Sequence, residues 1–201
     1  MVKKLIGLIC ALGLLNGCLS VTPPPSPPSQ SPDALNIHDQ NQTIIGKAVH
    51  VEGDIFVTPD HLFVDHGDLF GLSQRAPLKI WLRDFEHDIL FFKLATPLNS
   101  ENTFSKNPPA IGKILFWKDA DQILSSSVEG IKASFSAQDN KATKKNLLVF
   151  SGHIKEGLSG TPLFDEKGVI YGIIIAADRS KNQIYALRSD IMQALLEENQ
   201  E

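Results

Sequence analysis

Cysteine is nearly absent from this chain of 201 residues: Cys10 and Cys18 are the two it has, so no disulfide framework can hold the fold together. Charge of one sign is also missing. The 19 Lys and Arg are outnumbered by 23 Asp and Glu, and they form no polybasic stretch. That balance excludes nucleic acid as a partner. No internal repeat is visible. A membrane-spanning helix is missing too: the apolar run Leu5 to Leu15, eleven residues long, would reach only about 16 Å, half of a bilayer core.

That run has a different meaning. Lys3 and Lys4 precede it as a short basic region, the arrangement of a secretory signal. It ends in Leu15-Asn16-Gly17-Cys18, which resembles the lipobox of bacterial lipoproteins. The resemblance implies a signal peptide over residues 1–17 and a diacylglycerol on the Cys18 thiol after cleavage. It further implies attachment to the bacterial cell envelope, at the outer membrane facing the periplasm or at the cell surface. Asn16 departs from the commonest lipobox residue; ordinary secretion with an incidental Cys18 is the alternative reading. Loss of the leader removes Cys10, Lys3 and Lys4, leaving one cysteine and 17 basic against 23 acidic residues, a balance of −6.

Residues 22–33 hold six of the twelve prolines. Such a stretch favours polyproline II and buries no core, so residues 18–42 read as a lipidated cysteine and a semi-rigid linker, polar and loose through Asn36 to Asn41. From Thr43 the texture changes to short runs of β-branched and aromatic residues punctuated by turns. Strands are expected near Ile44–Val51, Ile55–Val57, Leu78–Arg83, Ile89–Leu94, Lys113–Trp117, Val128–Ser136, Leu147–Phe150, Thr161–Phe164, Val169–Ile175 and Gln183–Leu187. This is the pattern of an all-β barrel or sandwich. Helical spacing occurs only at Ser189 to Glu198, with Ser189 as N-cap and Ile191, Ala194 and Leu195 on one face.

The chemistry concentrates in three segments. Gly157-Leu158-Ser159-Gly160-Thr161-Pro162 surrounds a serine with residues that permit sharp backbone turns and close approach. Thr58-Pro59-Asp60-His61 closes a strand on a histidine, and His87-Asp88-Ile89-Leu90 opens one on an aspartate. Together they resemble the serine, histidine and aspartate motifs of trypsin-like serine proteases. Their order and their spacings of 27 and 71 residues look most like the compact HtrA-type and glutamyl-endopeptidase branches. Ile111 to Phe116 resembles the strand that opens the family's second barrel, and Leu187 to Ile191 the entry to the HtrA-type closing helix.

The resemblance implies two antiparallel six-stranded β-barrels, residues 43–110 and 111–188, followed by a helix over 189–198. It implies a serine endopeptidase with a protein or peptide substrate and no cofactor or metal. His61, Asp88 and Ser159 would be catalytic, and the backbone N–H groups of Gly157 and Ser159 an oxyanion hole. The family pattern puts His153 at the base of the primary substrate pocket and Ala176 and Ala177 along its wall. Two departures matter. Leu158 stands where zymogens of the family carry an aspartate, which excludes activation through a freed N-terminus at Ile44. Leu90 stands where a small residue is usual. Together with Thr161 they keep open an alternative, a weakly active or inactive protease-fold lipoprotein serving as a binding or envelope-assembly module. Asp65-His66-Gly67-Asp68 reads as solvated surface rather than a metal site.

Overall fold

The computed structural model describes residues 25–28, 30–39, 41–66, 79–94, 102–136 and 143–199. The leader, Cys18, the first part of the proline-rich stretch, and Gly67 and Asp68 lie outside the described residues. No described helix is long and apolar enough to cross a membrane.

Among the described residues twelve strands form two antiparallel sheets, the double-barrel arrangement of the chymotrypsin-like fold. The first sheet comprises β1 (Ala34–His38), β2 (Ile44–Glu52), β3 (Ile55–Pro59), β4 (Lys79–Asp84) and β5 (Ile89–Lys93), in the order β1-β2-β3-β5-β4. The second comprises β6 (Ile114–Asp119), β7 (Gln122–Ser127), β8 (Gly130–Ser136), β9 (Thr143–Ser151), β10 (Pro162–Phe164), β11 (Ile170–Asp178) and β12 (Gln183–Arg188). Its order is β7-β6-β10-β11-β12-β9-β8. The described strands thus divide five and seven, where equal barrels of six were expected. The described residues also include two helices, α1 (His61–His66) and α2 (Ser189–Glu198).

β3 and β5 read as continuous apolar runs because both of their faces are covered: all five residues of β3 and the first four of β5 are buried. One core cluster bridges the sheets, with Val57, Ile89 and Phe91 from the first meeting Phe116, Phe164, Ile173 and Tyr185 from the second. Burial of such large side chains is the main force holding the two sheets together.

Strand pairing begins at Ala34, inside the stretch expected to be loose linker. There β1 pairs with β2 in the register Asn36↔Lys47. Asn102 ties the start of this strand down, exchanging hydrogen bonds with the Asp33 backbone (3.2 and 3.0 Å) and donating to the His50 carbonyl (3.1 Å). The C-terminal helix has the expected span, but its cap and face differ. Arg188 is the N-cap, without a side-chain cap bond, while Ser189 lies inside the first turn and donates its Oγ to the Ser105 carbonyl (2.7 Å). Met192 and Leu196 form the buried face, flanked by Ile191 and Leu195, and Ala194 is exposed.

The turn after β10 rests on Asp165, which is 4% exposed. Its Oδ1 accepts from the Lys167 and Val169 amides (3.0 and 3.1 Å), and its Oδ2 from Lys113 Nζ (3.1 Å). Asp165→Ala removes the acceptor of all three bonds and is expected to cost roughly 2–3 kcal/mol in denaturant unfolding, against little for Lys167→Ala.

Candidate active site

The geometry of the site starts from the β3–β5 ladder. Its last rung is Pro59↔Ile89, and the Asp60 N–H continues the pairing by donating to the Asp88 carbonyl (3.1 Å). This register sets the residue after Asp60, His61, beside the residue before Ile89, Asp88. Asp88 then adopts φ +56°, a left-handed conformation that aspartate tolerates better than most residues. The turn aims its carboxylate back at the histidine. Asp88 Oδ1 accepts the His61 backbone N–H (2.9 Å), and Oδ2 accepts from His61 Nδ1 (2.8 Å). Asp88 is 5% exposed.

Ser159 arrives from the second sheet, on the loop between β9 and β10. Gly157 and Gly160 have φ +80° and +81°, which that loop requires. Thr161 N–H closes the turn on the Leu158 carbonyl (2.9 Å), and Gly160 N–H donates to the Ile174 carbonyl of β11 (2.7 Å). The first sheet then grips the serine directly: Lys47 N–H donates to the Ser159 carbonyl (2.7 Å), while the Lys47 carbonyl accepts from Thr58 Oγ (2.9 Å). A Cβ on Gly46 would lie 2.8 Å from the Ser159 carbonyl and 2.5 Å from Leu62 Cδ1; one on Gly160 would lie 1.8 Å from the Lys47 carbonyl. Glycine at both positions is what lets the two sheets meet here.

Ser159 Oγ then stands 3.2 Å from His61 Nε2. A carboxylate only accepts, so Nδ1 carries the imidazole proton toward Asp88 and Nε2 is left to accept from the serine hydroxyl. This arrangement can draw a proton from serine and stabilise the resulting imidazolium. Leu158, where zymogens carry an acid, is 6% exposed and packs with Leu163, Ile174 and Ile184, so apolar burial anchors the loop. Leu90 is fully buried and lies opposite Thr58, without displacing His61 from Asp88.

A cleft of about 350 Å³ contains His61 and Ser159 and is lined on one side by Ile174, Ala176, Ala177 and Ile184. The β11–β12 register Ala177↔Ile184 supplies that wall. His153 is exposed and is not among the lining residues. A larger cleft, about 520 Å³, lies behind the segment Lys155 to Leu158 and contains neither His61 nor Ser159.

Sequence reasoning missed two residues of the site. Ile184 gives no local signal, because it reaches the cleft through strand pairing. Asp60 borders His61 in the chain, and the structure shows it 3% exposed and facing Arg83 of β4, with Asp60 Oδ1 and Arg83 Nε 2.6 Å apart. Burial pushes the Asp60 carboxyl above its ordinary range, and the Arg83 guanidinium opposes that shift. Burial likewise lowers the Lys47 amine, whose Nζ donates to the Lys118 carbonyl (2.8 Å).

The sequence matches no family model and no curated protein. Solved structures do match in fold. The chain is 13% identical to the Rv3671c protease from M. tuberculosis in its active form, with a TM-score of 0.65 over 89% of this chain and 92% of that one. It is 15% identical to the MamO protease domain from Magnetospirillum magneticum, with a TM-score of 0.65 over 82% and 95%. The HtrA-type protease AlgW with a bound decapeptide gives 16% identity and a TM-score of 0.61 over 77% of this chain and 52% of AlgW. The fold is therefore that of trypsin-like and HtrA-type serine proteases.

Proposed function

We propose that this chain is a serine endopeptidase, hydrolysing peptide bonds through an acyl-enzyme on Ser159. The observation that carries this reading is the unbroken series Asp88 Oδ2, His61 Nδ1, His61 Nε2, Ser159 Oγ, with steps of 2.8 and 3.2 Å. Serine is a weak nucleophile unless a neighbouring base takes its proton. His61 removes that proton as Ser159 Oγ attacks the scissile carbonyl, then delivers it to the leaving amine. Asp88 fixes the tautomer and balances the imidazolium. The amides of Gly157 and Ser159 receive the charge on the carbonyl oxygen. Water, activated by the same imidazole, then hydrolyses the acyl-enzyme. AlgW, which shares the fold, binds a decapeptide; an extended peptide is the ligand proposed for this cleft as well. The lipobox-like Leu15 to Cys18 supports an enzyme tethered to the bacterial envelope.

The charged residues of the cleft are Lys155 and Glu156, of opposite sign, and the wall of Ile174, Ala176, Ala177 and Ile184 is apolar, which favours a small or medium aliphatic side chain before the scissile bond. With a peptide library, cleavage after Ala, Val or Leu is expected to exceed cleavage after Lys, Arg or Glu at least tenfold in kcat/KM. Ala177→Phe, which fills the wall, is expected to narrow the preference toward Ala. No cleavage of any member by a folded protein, or cleavage equal to that of Ser159→Ala, would contradict the proposed activity.

A further inference from the structure

Asp60 directly follows β3, whose five residues are all buried, and it is itself 3% exposed. A carboxylate is expensive to bury, so its placement calls for a role. The amide of Phe63, in the first turn of α1, is bonded to the Asp60 backbone carbonyl (2.9 Å) and not to its side chain. The carboxylate faces Arg83 instead, and the guanidinium packs over the Phe85 ring, 5.4 Å from its centroid.

We propose that Asp60 is a positioning residue, a second buried carboxylate behind the triad, which faces Arg83 and acts on Ser159 through His61 and Asp88. This rests on the protease reading above. Asp60 is bound to the triad in two ways: its N–H holds the Asp88 carbonyl, and it is covalently adjacent to His61. The charged groups facing it are Arg83 from β4, Asp88 at the start of β5 and His61 at the start of α1. The neighbouring turn carries two more carboxylates, Asp84, whose Oδ2 accepts from His87 Nδ1 (2.9 Å), and the exposed Glu86.

The electrostatic signs are fixed by reciprocity. His61 favours the ionised form of Asp60 and Asp88 disfavours it. In return, an ionised Asp60 favours protonated His61, which is the form created when Ser159 attacks. Arg83 opposes the upward push that burial and Asp88 put on the Asp60 carboxyl.

The test reads His61 directly. Its imidazole midpoint is followed by NMR in the purified protein, alongside the pH dependence of Ser159 labelling by a fluorophosphonate. Asp60→Asn removes a negative neighbour and leaves Arg83 uncompensated, so the His61 midpoint is expected to fall. The acidic limb of the labelling profile should move with it. Arg83→Met should add a second ionisation, that of Asp60, to the His61 titration, and Arg83→Lys should suppress it. An unchanged His61 midpoint in folded Asp60→Asn would overturn the proposal. Should Asp60→Asn fail to fold, an Arg83→Met titration identical to wild type would overturn it equally. A wild type that never labels, but whose His61 midpoint moves as described, removes the protease reading and leaves the coupling intact.

Discussion

Asp88→Asn is expected to lower the rate of Ser159 labelling by on the order of 10⁴-fold while leaving the melting temperature nearly unchanged. The carboxylate makes two bonds at once, to the His61 backbone N–H (2.9 Å) and to Nδ1 (2.8 Å), and both require an acceptor. Asparagine has one acceptor oxygen. With it on the backbone amide, the NH₂ group faces Nδ1 and forces the other tautomer, so Nε2 carries a proton and cannot take one from Ser159. Asparagine also tolerates the left-handed backbone of residue 88 (φ +56°), so the loss separates tautomer from fold. Alanine would confound the two. The comparison is made by labelling kinetics and thermal melting on the same preparations. A fall below tenfold would mean that Asp88 does not set the tautomer.

The other large effect concerns the seam between the sheets. Gly160→Ala places a methyl group 1.8 Å from the Lys47 carbonyl at φ +81°, so both the backbone and the contact must yield. Left-handed strain and overpacking together are expected to cost about 3–4 kcal/mol. For a chain of this size that lowers the melting temperature by about 6–16 °C. Labelling should be lost as well, because any relief moves Ser159 away from Lys47 N–H and His61. Gly168→Ala is the matched control. It has nearly the same φ, +79°, but nothing lies within 4 Å of its added Cβ, so only the strain of about 1–2 kcal/mol remains. Equal melting temperatures for the two variants would show that the close approach at Gly160 does not hold the seam.

Much of this site could be read in the chain because each of its three parts is local. Thr58 to His61, His87 to Leu90 and Gly157 to Pro162 are short segments whose residue types are dictated by their own backbone turns. What escaped notice depends on partners distant in sequence. β1 carries one fully buried apolar residue, Ile37, and is a strand because β2 supplies its hydrogen bonds. β7, Gln-Ile-Leu-Ser-Ser-Ser, is polar and joins β6 through a two-residue Ala120-Asp121 turn without glycine, in which Ala120 takes φ +51°. α1, at six residues, is too short for a helical period to show. Ser189 suits a cap by type, yet burial turned its hydroxyl to Ser105. The role of Asp60 depends on Arg83, on another strand of the same sheet, and the wall of the cleft on the pairing of β11 with β12.

The most direct test of the central claim is fluorophosphonate labelling of the purified protein, with the adduct located by mass spectrometry. The expected result is a single adduct on Ser159, absent from Ser159→Ala and from His61→Ala. A folded wild type that stays unlabelled, or an adduct that survives His61→Ala undiminished, would contradict an activated serine. The chain would then be better read as a protease-fold binding module.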